Sequence, residues 1–262
     1  MSGNHQVDAP ACEVHVKSVV SSAAKINMGK PLDVKRVCVE GGVNRIGNDA
    51  GLVGPIEEGC TTADDTIGAT LPIPSVGQCK TKPKNLKNST EYLTPGTSCG
   101  QWKFKGSVSR IELAPGTYIF NNATWVTNAD IRGTGVTIYL NDKNSDIVLK
   151  GQGSLALSAP ETGTYEGIVM YENPGITQLT SRKVNGGSDE IMSGLIYLPS
   201  RDMTWNGNSS LNAEKLTMVL NSPVLLGTTD WKVEPLQSKG IQAPGSSGAT
   251  EQVFRTVRLT PN

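Results

Sequence analysis

The sequence lacks any apolar run long enough to span a bilayer; its longest windows, "GLIYLP" and "SPVLLG", fall far short of the roughly 20 residues a membrane helix needs. It also lacks an excess of either charge. Lys plus Arg and Asp plus Glu stand at 24 each, so no strong field draws in nucleic acid or anionic lipid. Histidine is scarce, with only His5 and His15, which leaves little supply of a general base near neutral pH. Cysteine is absent after Cys99, and no two of Cys12, Cys38, Cys60, Cys79 and Cys99 have the C-x-x-C spacing of a zinc or redox site. Aromatics amount to 5% and charged residues to 18%, both modest.

Glycine (29) and proline (15) are plentiful among 262 residues, and β-branched runs recur from end to end. That balance predicts many short strands joined by tight turns. Structural disulfides in an exported protein account for the cysteines, with one thiol left over by the odd count; their pairing stays open. The abrupt polar start, Met1-Ser2-Gly3-Asn4, reads as the trimmed edge of a longer protein.

The chain divides by pattern. Residues 1–100 are irregular, with half-buried strands in "ACEVHVKS" and "DVKRVCVEGG" and loops tied down by disulfides, and form a cysteine-containing cap continuous with the rungs of the second part. Residues 101–235 carry short apolar runs closed by Gly, Asn, Pro or Ser: "SRIELAPGTYIF", "GTGVTIYL", "YEGIVMYENPG", "MSGLIYLPS", "EKLTMVLNSPVLLG". Runs of four to six residues with turn residues between them predict an all-β fold, a parallel β-helix whose rungs stack at about 4.8 Å, with a β-sandwich as the alternative. Residues 236–262, ending in "QVFRTVRLTPN", read as a tail or capping strand, and an uncapped rung edge would invite end-to-end assembly.

The order of these motifs resembles the TadG-like proteins associated with Flp/Tad pilus assembly in bacteria. "ACEVHVKS", Cys38 with "VEGG", Cys60, "PIPSVGQC" and "LTPGTSCG" come first. "IELAPGTYIF", "GTGVTIYL", "LALSAPETGTYEGIVMYENP" and "SGLIYLPS" come after them, so the likeness covers Cys12 to about Leu226. The resemblance implies right-handed β-helix rungs in an exported ectodomain, periplasmic or at the cell surface, tethered through a membrane segment absent from this chain. It implies pilus or envelope proteins as partners, in a structural, assembly or adhesive role without catalysis. Some of these proteins carry a von Willebrand A-type domain with a D-x-S-x-S metal motif; that motif does not occur here, so metal-dependent adhesion is not implied. "LTPGTSCG" has Ser98 where the family pattern leads one to expect an aromatic.

Several residues invite chemical readings. The glycines of "GTGVTIYL" precede a strand rather than link a strand to a helix, so they turn a corner and do not cradle phosphate. Asp142, Asn144 and Asp146 alternate as calcium ligands do, but the turn glycine and the distal bidentate Glu are missing. Trp125 in "ATW" and Trp205 in "MTW" are candidates for a strip that binds a glycan or protein, with packing at a rung as the competing role. A polysaccharide-active β-helix would need two convergent carboxylates; Asp189 and Glu190 are adjacent and would face opposite sides of a strand. No cofactor is expected beyond that calcium candidate.

Overall fold

The computed structural model describes residues 2–3, 6–26, 32–45, 52–62, 64–82, 88–151, 153–185, 189–207 and 210–235. The expected tail at 236–262 lies outside them. Among the described residues there is no α-helix, and parallel strands stack as a β-solenoid of about nine turns.

In chain order the N-terminal strands are β1 (Ser2–Gly3), β2 (Gln6–Val16), β3 (Ala24–Ile26), β4 (Leu32–Val39), β5 (Val43–Arg45), β6 (Leu52–Val53) and β7 (Ile56–Glu58). A linking segment with one 3-10 turn, Gly68–Thr70, comes next. The remaining strands begin with β8 (Thr90–Leu93), β9 (Gly96–Lys103), β10 (Arg110–Leu113), β11 (Gly116–Thr127), β12 (Asp130–Thr134) and β13 (Val136–Leu140). They continue with β14 (Asp146–Leu149), β15 (Leu155–Ser158), β16 (Ile168–Glu172), β17 (Thr180–Asn185), β18 (Asp189–Gly207), β19 (Ser210–Gly227) and β20 (Asp230–Pro235). Long strands such as β18 and β19 bend at corners and serve more than one face.

Each turn contributes to three faces. The first face stacks β8, β10, β12, β15 and the starts of β18 and β19, then β20. The second stacks the start of β9, then β11, β13, β16, and the middle of β18 and β19. The third carries the end of β9, β11 and β14, and then β17, β18 and β19. Inside, apolar side chains repeat from rung to rung. Register places Ile111 beside Ile131 and Ile131 beside Leu155 on the first face, and Phe120 beside Leu140 on the second, with Ile111, Ile131 and Phe120 fully buried. Gly135, at φ 69, turns the corner into β13, a conformation that a Cβ disfavours.

The N-terminal region is continuous with the solenoid and itself forms rungs at one end of it. It does not precede the rung at 90–103. Instead β2 pairs with β20 (Gln6 to Asp230, Val7 to Trp231, Asp8 to Lys232), β4 stacks on β2, and β6 and β7 stack on β4. β1 extends the third face from β19. The rungs thus run in space from residue 90 through 235 and then from 6 through 58, and rungs begin at 90 rather than 101. The chain returns from one end of the rod to the other as a strap over the second face. Ile67 and Leu71 pack on Ile119, Tyr139, Tyr171 and Tyr197. The Tyr197 hydroxyl donates to Asp65 Oδ2 (2.9 Å) and that of Tyr171 to the Pro72 carbonyl (2.7 Å). On the outer side of Val136–Leu140 the strap covers Tyr139, and the Thr137 hydroxyl donates to the Ile168 carbonyl (2.8 Å); all five residues are buried, although an alternating strand has two faces.

Candidate functional site

The two candidate tryptophans belong to the core. Trp125 is 1% exposed and stacks on Trp102, its register partner one rung away, at 5.6 Å with planes 20° apart; Phe120 lies 4.7 Å from it. Trp205, 4% exposed, meets Trp231 edge-on at 4.9 Å. Neither indole face is open to a sugar or a partner, so the expected binding strip is corrected to an interior ladder. The reason is parity: both residues occupy inward positions of the third face, where a rung is wide enough for an indole.

Asp142, Asn144 and Asp146 do fall on one corner, between β13 and β14, but their oxygens are taken up internally. Asp142 accepts from the Asn144 amide (2.9 Å), the Asn122 amide and the Ser145 hydroxyl (2.8 Å). Asp146 pairs with Arg182, Nε to Oδ2 at 2.9 Å, with the N–H pointing off that line. Burial raises the Asp146 pKa, and the positive charges of Arg182 and Arg201 only partly oppose it. The corner is a hydrogen-bonded turn that closes a rung. Among the described residues no group of three or more His, Cys, Asp or Glu side chains is placed to hold a metal ion.

The same corner holds a buried ion pair that the sequence did not announce. Arg201 Nε donates to Glu172 Oε2 at 2.8 Å, each side chain 1% exposed. Glu172 also accepts the Ser200 amide, and Arg201 Nη2 donates to the Asp142 carbonyl (3.2 Å), while Arg201 Nη1 has no hydrogen-bond partner among the described residues. On the neighbouring rungs an asparagine ladder, Asn121 to Asn141 (2.9 Å) to Asn173 (3.5 Å), carries the corner forward.

Glu190, one of the two adjacent carboxylates weighed for polysaccharide cleavage, is a second buried acid. It stands one position before Ile191, which pairs with Ala156, and so it takes an inward place beside Leu155 where neighbouring rungs have Leu or Ile. It is 5% exposed, its Oε2 accepts from Trp205 Nε1 (3.4 Å), and its Oε1 has no hydrogen-bond partner among the described residues. Burial pushes its pKa up to about 7, opposed by the Trp205 hydrogen bond. Apolar Ile191 meanwhile faces out, 55% exposed, so a hydrophobicity reading of "DEIMS" inverts the phase.

The cysteines pair as Cys38–Cys60 and Cys79–Cys99, with Cα atoms 5.8 and 5.6 Å apart, leaving Cys12 as the free thiol. The bonds pin the two ends of the strap, one to β4 and one to β9. Two such disulfides point to an oxidising, non-cytoplasmic compartment. Cys12 Sγ lies 3.6 Å from the Val233 carbonyl, and burial, then the Glu234 charge, raises its pKa to about 11.

Both rod ends are blunted. At one, the lysines Lys80 and Lys82 donate to the carbonyls of Thr94 (2.7 Å) and Gln101 (3.2 Å), and buried Glu91 takes the Asn88 amide (3.0 Å). At the other, β6 and β7 are two and three residues long, Pro55 stands between them, and β7 carries Glu57 and Glu58. Lysines, inward charges, proline and short strands are the usual means of refusing edge pairing. On the outer first face, charges of opposite sign stand side by side on two adjacent rungs, Arg110 beside Asp130 and Glu112 beside Arg132.

Among the described residues no helix is long and apolar enough to cross a membrane. Comparison with protein-family models, with curated proteins and with solved structures found no match.

Proposed function

We propose that this chain is the β-solenoid ectodomain of a TadG-like protein and serves, without catalysis, as a structural or adhesive element of a bacterial Flp/Tad pilus, in the periplasm or at the cell surface. The observation that carries this reading is the ordered motif series from Cys12 to about Leu226. The architecture agrees with it: a stiff rod, pinned by two disulfides along a strap, whose candidate side chains are occupied in building rungs. Blunted ends direct partner binding to the sides. The alternating charges of the outer first face suit a protein surface better than a polymer of one charge.

Deleting the gene in its native host and counting surface pili and attached cells tests the proposal. Loss of either, restored by the wild-type gene and weakened by the charge reversals Glu112→Arg with Arg132→Glu, is the expected result. Normal piliation and attachment in the deletion strain would overturn it.

A further inference from the structure

The rod is continuous in space but interrupted in sequence. Its N-terminal block, 2–60, meets its long block, 90–235, at a seam where no peptide bond joins the two. Described pairing across the seam consists of Gln6–Asp8 against Asp230–Lys232 on the first face and Ser2–Gly3 against Leu226–Gly227 on the third. The Gln6 amide adds a hydrogen bond to the Thr229 carbonyl at 2.9 Å. Beneath these pairs, Val7 and Ala9 join Trp231 and Val233 in the core. Opening the seam therefore bares two complementary β edges and an apolar surface, which need each other or an identical copy.

Each disulfide lies on its own side of the hinge. Cys38–Cys60 belongs to the N-terminal block, and Cys79–Cys99 ties the far end of the strap to the long block. Neither bond holds the blocks together. The strap residues 61–78 lie between them, a free reach of about 60 Å when extended, longer than the rod of roughly 40 Å that they traverse.

We propose that the seam is an interface for a second copy of this chain: the N-terminal block of one molecule docks on β20 and β19 of another, and reciprocally, in a closed strand-exchanged dimer. The partner is specified by the seam itself. The exchanged block meets the same register, the same Asp8–Lys232 pairing on the outer face and the same apolar layer as in the monomer, so the dimer gives up only the strap's packing and the entropy of association. Reciprocal exchange satisfies both seams at once, which closes the assembly at two. This inference does not rest on the pilus reading.

Asp8 and Lys232 provide the test, because they are register partners across the seam and neither is buried. In a Cys12→Ser background, one chain carries Asp8→Cys and a second, separately tagged, carries Lys232→Cys. The two are mixed, unfolded in urea with the native disulfides intact, refolded and oxidised. Exchange predicts a disulfide-linked dimer of the two tags that rises with protein concentration. It should exceed by about tenfold a control in which Glu112→Cys, far along the same face, replaces Asp8→Cys. The doubly substituted Asp8→Cys, Lys232→Cys chain measures the seam itself. If it closes within one molecule while the mixed singles stay at control level at every concentration, exchange does not occur. If it fails to close at all, the seam is absent and the inference falls with it. As a readout free of substitution, the wild-type chain refolded at high concentration is expected to give a dimer that persists on dilution in size-exclusion chromatography; only monomer there would count against exchange.

Discussion

Replacing Glu190 by Gln should make the rod more stable at pH 8 and leave it nearly unchanged at pH 4.5. The carboxyl sits among apolar rungs with no cation as partner among the described residues, and burial raises its pKa from 4.5 to about 7. In the unfolded chain the group ionises near its ordinary value. Between those two values the folded state binds more protons than the unfolded state, so stability falls as pH rises, from fully present below about 4.5 to fully lost above about 7. A shift of about two and a half pH units corresponds to on the order of 3 kcal/mol. Gln keeps an acceptor for Trp205 Nε1 and carries no charge, so it escapes that loss. For a chain of this size the gain at pH 8 corresponds to a melting temperature about 6–10 °C above wild type. Differential scanning calorimetry of both proteins at the two pH values isolates the effect as a difference of differences, from which any pH-independent change in packing cancels. A Gln-minus-wild-type difference that is the same at both pH values would refute the reasoning.

Removing either disulfide, as Cys38→Ser with Cys60→Ser or Cys79→Ser with Cys99→Ser, should cost about 3 kcal/mol for loops of this length. Hydrogen exchange should at the same time quicken in the strap. Glu172→Ala and Arg201→Ala should each destabilise by about 3–5 kcal/mol in urea titrations, because each leaves its partner buried and charged. Replacing both by apolar residues should cost less than the sum, and a double-mutant cycle gives that coupling. In the native protein one thiol should react, slowly, with an alkylating reagent at pH 8. Cys12 has its pKa raised to about 11, so little thiolate is present, and unfolding without reductant should accelerate the reaction at that same single site.

The rung character of the chain is legible in the sequence because strand alternation and corner glycines are local properties. "GTGVTIYL" spells a corner and a strand, and the structure has both. What alternation does not encode is which strand lies next to which. Val14 and Val16 mark a half-buried strand equally well at either end of the rod, and only the β2–β20 pairing fixes it beyond residue 235. The strap was unreadable for a related reason: "TLPIPSVGQC" has no periodicity, since it is held by contacts beyond itself, Pro72 with Tyr171 99 residues away and Gly77 and Cys79 with Thr97 and Cys99. Trp125 and Trp205 could be assigned a face only once their parity within the rung was known. The metal-like spacing of Asp142, Asn144 and Asp146 does not reveal that the turn supplies its carboxylates with partners from its own amides and a distant arginine. Adjacency put Glu190 and Asp189 on opposite sides of a strand but not Glu190 on the inner one, since a single carboxylate in an apolar ladder looks in sequence like a solvent-facing residue.

The arrangement of the rungs is the claim on which the rest depends, and a distance measurement tests it most directly. With Cys12 replaced by Ser, spin labels at exposed Glu57 and Lys103 mark the terminal rungs of the two blocks. Nine rung intervals at strand spacing place them about 40 Å apart. Pulsed electron–electron resonance on the dilute monomer should give a distribution centred there. A distance under about 20 Å, as expected if the cysteine-containing N-terminal region capped the rung at 90–103 within a few strand spacings, would contradict the account.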